Sequence, residues 1–155
     1  MGRKLQMHTA QANQIDNEQL EEISVCERNQ FPLFESRYSF GSEICAEPNP
    51  RFNCHGMTFG SRRTGIFDSE VLAKVLREDG YEEIPTERVK PGDVIVYYNR
   101  DGDCEHSGLV VESPRPETLN VPKVRSKWAK YRELIHVGNQ CPYSFEDVRY
   151  YRVVK

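Results

Sequence analysis

The chain contains no apolar run approaching the roughly 20 residues that a membrane-spanning helix requires. Its opening residues, Met1 to His8, lead into a polar stretch over residues 9–22 with no hydrophobic signal core. A membrane protein is therefore not expected, and the expected location is the cytoplasm, or outside it by a route that leaves no N-terminal signal peptide. Charge of one sign is also lacking. The 21 basic and 24 acidic residues are interspersed and sum to −3, so the strongly basic face that binds nucleic acid is not expected. A local basic patch over residues 123–130 is the one exception. The five cysteines are odd in number and widely spaced, unlike a disulfide-stapled secreted domain, and are read as reduced thiols.

What is present fits one domain. A length of 155 residues with 37% hydrophobic and 29% charged side chains allows a single core under a polar surface and leaves little room for two. Residues 1–14, rich in Gln, Asn, Thr and Lys, read as a flexible arm, with the domain spanning residues 15–155. Asp16 as a cap, with Gln19 three residues on, predicts a short helix over residues 17–26. Residues 31–52 carry Pro32, Pro48, Pro50 and Gly41 among aromatics and predict an irregular wrapping segment. A second helix is predicted over residues 70–79, capped by Asp68 or Ser69, with Val71, Leu72, Val75 and Leu76 on one face and Gly80 at its end. Short runs rich in Val and Tyr at residues 94–98, 108–112, 119–125 and 148–154 predict strands. Helices first and strands afterwards imply an α+β domain with an antiparallel sheet.

The residues that suggest chemistry are Asn53-Cys54-His55-Gly56, Gly92-Asp93-Val94-Ile95-Val96-Tyr97 and His106-Ser107-Gly108-Leu109-Val110-Val111, in that order. Asn53 is a good N-cap, which puts Cys54 at the first position of a helix, where the free N–H groups favour a thiolate and can hold an oxyanion. His106, at the start of a strand, is the expected base: it takes the thiol proton and later returns it to the leaving amine. Small Ser107 and Gly108 permit close approach of a substrate or of the cysteine helix.

This arrangement resembles the papain-like NlpC-type peptidases and CHAP amidases, which place a Cys at a helix start, then a Gly-Asp-hydrophobic strand, then a His. The resemblance covers roughly residues 52–136. It implies a papain-like α+β fold with N-terminal helices and the nucleophile helix packed on an antiparallel sheet. It also implies a cysteine peptidase or amidase acting on a peptide or a peptidoglycan stem peptide, without a cofactor. Such enzymes orient the imidazole with a polar residue on the strand after the histidine strand. A hairpin centred near Arg115 puts His106 opposite Val124 and brings Ser126 close, while His136 arrives after a further loop. Ser126 and His136 are the two candidates. Trp128 is expected to wall the substrate groove, with Asn53, His55, Ser107 and Gly108 around it.

Other readings stay beside this one. The same dyad serves an acyltransferase or deamidase of the toxin and effector type, with a protein target or an immunity-type partner. A binding module of the same shape needs no turnover. A zinc set of Cys54, His55, Cys104 and His106 can be written down, with Cys104 sharing strand parity with His106, although the close Cys-x₂-Cys spacing of a structural site is missing. The Lys127, Lys130 and Arg132 cluster reads as a solvated face.

Overall fold

A computed structural model of the chain describes residues 2–38 and 41–154. Seven strands form one antiparallel sheet: β1 (Glu43–Ile44), β2 (Tyr81–Ile84), β3 (Val94–Tyr98), β4 (Cys104–Glu112), β5 (Lys123–Lys127), β6 (Glu133–Val137) and β7 (Asp147–Val153), in the spatial order β1-β6-β5-β4-β3-β7-β2. The helices among the described residues are α1 (Val25–Tyr38), α2 (Cys54–Phe59) and α3 (Ser69–Glu78). This is the mixed helix-and-sheet class that the sequence predicts. No described helix is long and apolar enough to cross a membrane.

Alternation along the strands sorts the side chains onto two faces. On one face Val94, Val96 and Tyr151 meet Val71, Leu72, Val75 and Leu76 of α3. The helix forms where the periodicity puts it, because Asp68 accepts the Glu70 N–H at 2.8 Å and Gly80 adopts φ +75° just past its end. On the other face Ile95, Tyr97, Val110, Val124 and Tyr150 are covered by Cys141 and Phe145, and the Tyr97 hydroxyl donates to the Gly138 carbonyl at 2.6 Å. Asp93, beside the Gly92 turn, accepts the Lys90 N–H and pairs with Arg152 of β7 through two 2.7 Å bonds. It locks the turn before β3 to the last strand.

The N-terminal third departs from expectation. Residues 2–14, read as a flexible arm, fold back: Ile15 donates to Met7, and Thr9 and Asn13 bond the Glu78 carboxylate of α3. The helix expected at residues 17–26 is absent there. The Glu18 backbone exchanges both hydrogen bonds with Gly65, and Gln19 does the same with Arg3. Buried Asn17 ties Leu5 to Thr64. These tertiary pairings use the N–H and C=O groups that a helix would need. The helix starts instead after Ser24, whose hydroxyl accepts the Glu27 N–H while the Glu27 carboxylate accepts the Ser24 N–H, a reciprocal capping box. It runs through Pro32, inside the segment expected to be irregular, because Phe31 and Phe34 pack on Trp128, Tyr131 and Leu134.

The β4–β5 hairpin is longer than expected. A 3₁₀ turn at Pro116–Thr118, left-handed Leu119 and Asn120, and a bulge between Val110 and Glu112 place Gly108 opposite Ser126 and Val110 opposite Val124. The register differs from the expected one by four residues, an even number, so Ser126 keeps the same face as His106 but lies opposite Gly108 instead of Cys104.

Candidate active site

Asn53 does more than cap α2. Its Oδ1 accepts the N–H groups of Gly56 at 2.8 Å and Ile66 at 3.1 Å, and its Nδ2 donates to the Ile66 carbonyl at 2.7 Å. Gly56 is required because a Cβ there would lie 1.7 Å from the Thr64 carbonyl oxygen. Cap and glycine together press the start of α2 against residues 64–66 and fix Cys54 at its first position, as the sequence predicts.

Cys54 is 5% exposed and lines a cleft of about 590 Å³, together with His55, Phe67, Asp68, Asp103 and Tyr143. The β4–β5 ladder stops at the Gly108–Ser126 pair. The Ser107 N–H, which would otherwise continue toward Lys127, faces the Cys54 sulfur. The thiol thus sits at the point where two strands part. Burial pushes it up to about 12, against the opposing pull of the Ser107, His55 and Cys54 amides and the Lys127 charge. The resting group is a thiol rather than the low-pKa thiolate expected at a helix start, because loss of water outweighs the amides of a six-residue helix.

His55 turns to β4, its Nδ1 2.8 Å from the Ser107 Oγ, which donates in turn to Thr58. It anchors the helix to the strand while still bordering the cleft. His106 points to the other face, its ring 5.4 Å from that of Tyr97 and 5.3 Å from that of Tyr143. It is fully buried, and among the described residues neither ring nitrogen has a hydrogen-bond partner. Burial holds it well below the usual imidazole range, and the neighbouring His136 and His55 rings push the same way. His106 is therefore a neutral base.

The two candidate orienting residues bond each other rather than His106. Ser126 Oγ lies 2.6 Å from His136 Nε2 and accepts from Trp128 Nε1 at 3.1 Å, while His136 Nδ1 is 2.8 Å from the Val137 carbonyl. The observed register puts Ser126 opposite Gly108, two residues along from His106. Trp128 does not wall the groove: it is fully buried beneath Phe34 and beside His136. Gly108 is small for the neighbouring strand and not for a substrate, since a Cβ would meet the Arg125 carbonyl at 2.7 Å. Cys104 lacks the expected parity with His106. A bulge pairs it with Tyr98 while His106 pairs with Tyr97, so the two face opposite ways. Among the described residues no group of three or more His, Cys, Asp or Glu side chains is placed to hold a metal ion.

Two residues were missed. Tyr143 lines the cleft and touches the His106 ring, but it lies in an irregular segment without periodicity to mark it. Lys127, read as solvated, is 1% exposed. A signal existed for it: once β5 reaches residue 127, alternation puts Lys127 on the face opposite Ser126, under α2.

No protein-family model, no curated protein and no solved structure matches this chain.

Proposed function

We propose that this chain is a papain-like thiol hydrolase that cleaves an amide bond in a peptide or a peptidoglycan stem peptide, with Cys54 as nucleophile and His106 as base. The observation that carries the reading is the parted end of β4 and β5. A cleft-lining thiol sits against the Ser107 amide, and the residue before Ser107 is a fully buried imidazole with neither nitrogen partnered among the described residues. Buried polar atoms are rarely left unsatisfied without a role. Tyr143 borders both groups, since its ring contacts His106 and its hydroxyl is pushed up by burial and then by Cys54.

In this mechanism the proton moves as the bond forms. His106, neutral at rest, takes the Cys54 proton while sulfur attacks the carbonyl carbon; the imidazolium then protonates the leaving amine, and water resolves the thioester. A raised thiol and a depressed base suit such concerted general-base catalysis better than a standing ion pair. The third residue of the resemblance is not required for it.

A second reading, a non-catalytic module of the same shape, is favoured by the thiol held near 12 and by the lack of an orienting bond to His106. The two separate in the pH dependence of iodoacetamide alkylation at each cysteine, read by peptide mass spectrometry in the parent and in His106→Ala. The hydrolase reading expects Cys54 to react faster than Cys141 at pH 6.5 and to lose that advantage without His106. A Cys54 no faster than Cys141, with no effect of His106→Ala, selects the non-catalytic module.

A further inference from the structure

Burying an ammonium costs several kcal/mol unless something compensates it, and Lys127 is only partly compensated. Its Nζ donates to the Tyr131 carbonyl at 2.6 Å and lies 5.0 Å from the centre of the Phe52 ring. Among the described residues no carboxylate makes an ion pair with it. The acid that acts on it, Glu133 opposite it on β6, is engaged by Arg62 at 2.7 Å and Arg125 at 3.1 Å. One carboxylate thus faces three cations along the seam between α2 and β5, and solvent reaches only the two arginines to any extent. The seam has a surplus of positive charge at its driest point.

That point adjoins Cys54. Lys127 stands across from Ser107 at the first unpaired position of the β4–β5 ladder, and Ser107 presents its N–H to the Cys54 sulfur. Phe52, over which the ammonium lies, is two residues before the thiol. The anion that would balance the seam is absent at rest and appears only when Cys54 gives up its proton.

We propose that Lys127 is a positioning residue for Cys54: its ammonium, fixed by the Tyr131 carbonyl and the Phe52 ring, stabilises the negative charge that develops on the sulfur. This rests on reading Cys54 as the nucleophile. In the step concerned the S–H bond breaks and an N–H bond forms on His106. The sulfur gains the negative charge and the imidazole the positive one, while Lys127 keeps its three protons throughout. Burial draws Lys127 down to about 8, with Glu133 and Cys54 opposing the fall, so the ammonium is charged at neutral pH and is lost above that value. Cys141 and Tyr143, from the segment after β6, also act on Cys54 and are neutral at that pH, with burial pushing each up, while His55, Asp68, Glu70, Asp103 and Glu105 line the same cleft. Lys127 is the cation that acts on the sulfur.

The test uses two near-isosteric charge variants in the full chain, Lys127→Met and Glu133→Gln, with the alkylation rate of Cys54 followed against pH and Cys141 as internal standard. Lys127→Met is expected to lower the Cys54 rate roughly tenfold at pH 6.5 and to leave it unchanged above about pH 9, where the ammonium is already lost. Glu133→Gln, which removes the acid that helps hold Lys127 charged, is expected to move the pH at which that advantage disappears to lower values. Packing damage would change the rate equally at all pH values. A Lys127→Met effect that is absent at pH 6.5, or equal at pH 6.5 and pH 9, overturns the proposal. If Lys127→Met does not fold, the downward displacement of that break in Glu133→Gln decides alone. Failure of the hydrolase reading is seen separately, in a Cys54 profile indifferent to His106→Ala; a Lys127→Met effect confined to pH below about 8 would still assign Lys127 as the electrostatic partner of the thiol.

Discussion

The two halves of the sheet are built on different rules. Around β3 and β7 the buried side chains are Val94, Ile95, Val96, Tyr97, Tyr150 and Tyr151, whereas around β4, β5 and β6 they include His106, Ser107, Ser126, Lys127, Glu133 and His136. The first half is stabilised by area removed from water, at roughly 25 cal/mol per Å². Among the described residues, the second sets an imidazole without hydrogen-bond partners, an ammonium without an ion pair and a Ser126–His136–Trp128 chain in one region. Proteins commonly break the rules of core construction at functional sites. The proposed chemistry of this chain falls in the polar half, although both halves belong to one sheet.

Acid should separate the halves most strongly. Burial draws His55 and His136 down to about 4, and His106 well below its usual range. The unfolded chain then takes up protons near 6.5 that the folded chain refuses. Stability from these groups is full above about 6.5 and is lost as pH falls toward 4. Denaturant titrations at pH 7, 6, 5 and 4 should show a progressive loss totalling several kcal/mol. Equal stability at pH 7 and pH 5 would mean that the imidazoles are solvated.

Leu72→Ala attacks the apolar half. With Leu72 only 1% exposed, the cavity should cost about 3 kcal/mol by chemical denaturation. The pH profile of Cys54 alkylation should stay as in the parent wherever the chain remains folded. A change in that profile would dissolve the distinction between the halves. Ser126→Ala attacks the polar half, strands His136 Nε2 and removes the acceptor of the Trp128 Nε1 bond, at a cost of about 2 kcal/mol. Destabilisation below about 0.5 kcal/mol would show that water replaces the hydroxyl. The smallest expected effect is that of Asn53→Ala, about 1 kcal/mol for the lost cap. It should be accompanied by a higher Cys54 midpoint as the start of α2 loosens, and an unchanged midpoint would separate the cap from the chemistry.

Legibility followed the range of the interaction concerned. The span of α3, the bounds of β3 and the Asn53 cap before Cys54 rest on neighbours within a few residues, and each is found where the periodicity and capping rules put it. Ser24 and Glu27 were equally readable as a capping box, but Asp16 and Gln19 competed with them. That choice was decided by the partners of Glu18 and Gln19, namely Gly65 and Arg3, which no local rule names. Strands β1, β2 and β6 were not anticipated. They are short or carry charged residues, and they exist because a neighbouring strand offers them hydrogen bonds. At the site, Cys54 and His106 were legible as residue types in order. The partners of Ser126 and the burial of Trp128 and Lys127 were not, because they depend on a register set by a bulge and a left-handed turn.

By itself, then, the sequence determined the mixed helix-and-sheet class, the amphipathic face of α3 and a capped helix beginning at a cysteine, since propensity, periodicity and capping act over one or two turns of chain. Only the tertiary structure decided how dry that cysteine is, which way His106 turns and which cation lies under α2. Those properties come from strand register and from the exclusion of water, and both are set by residues far apart in the chain.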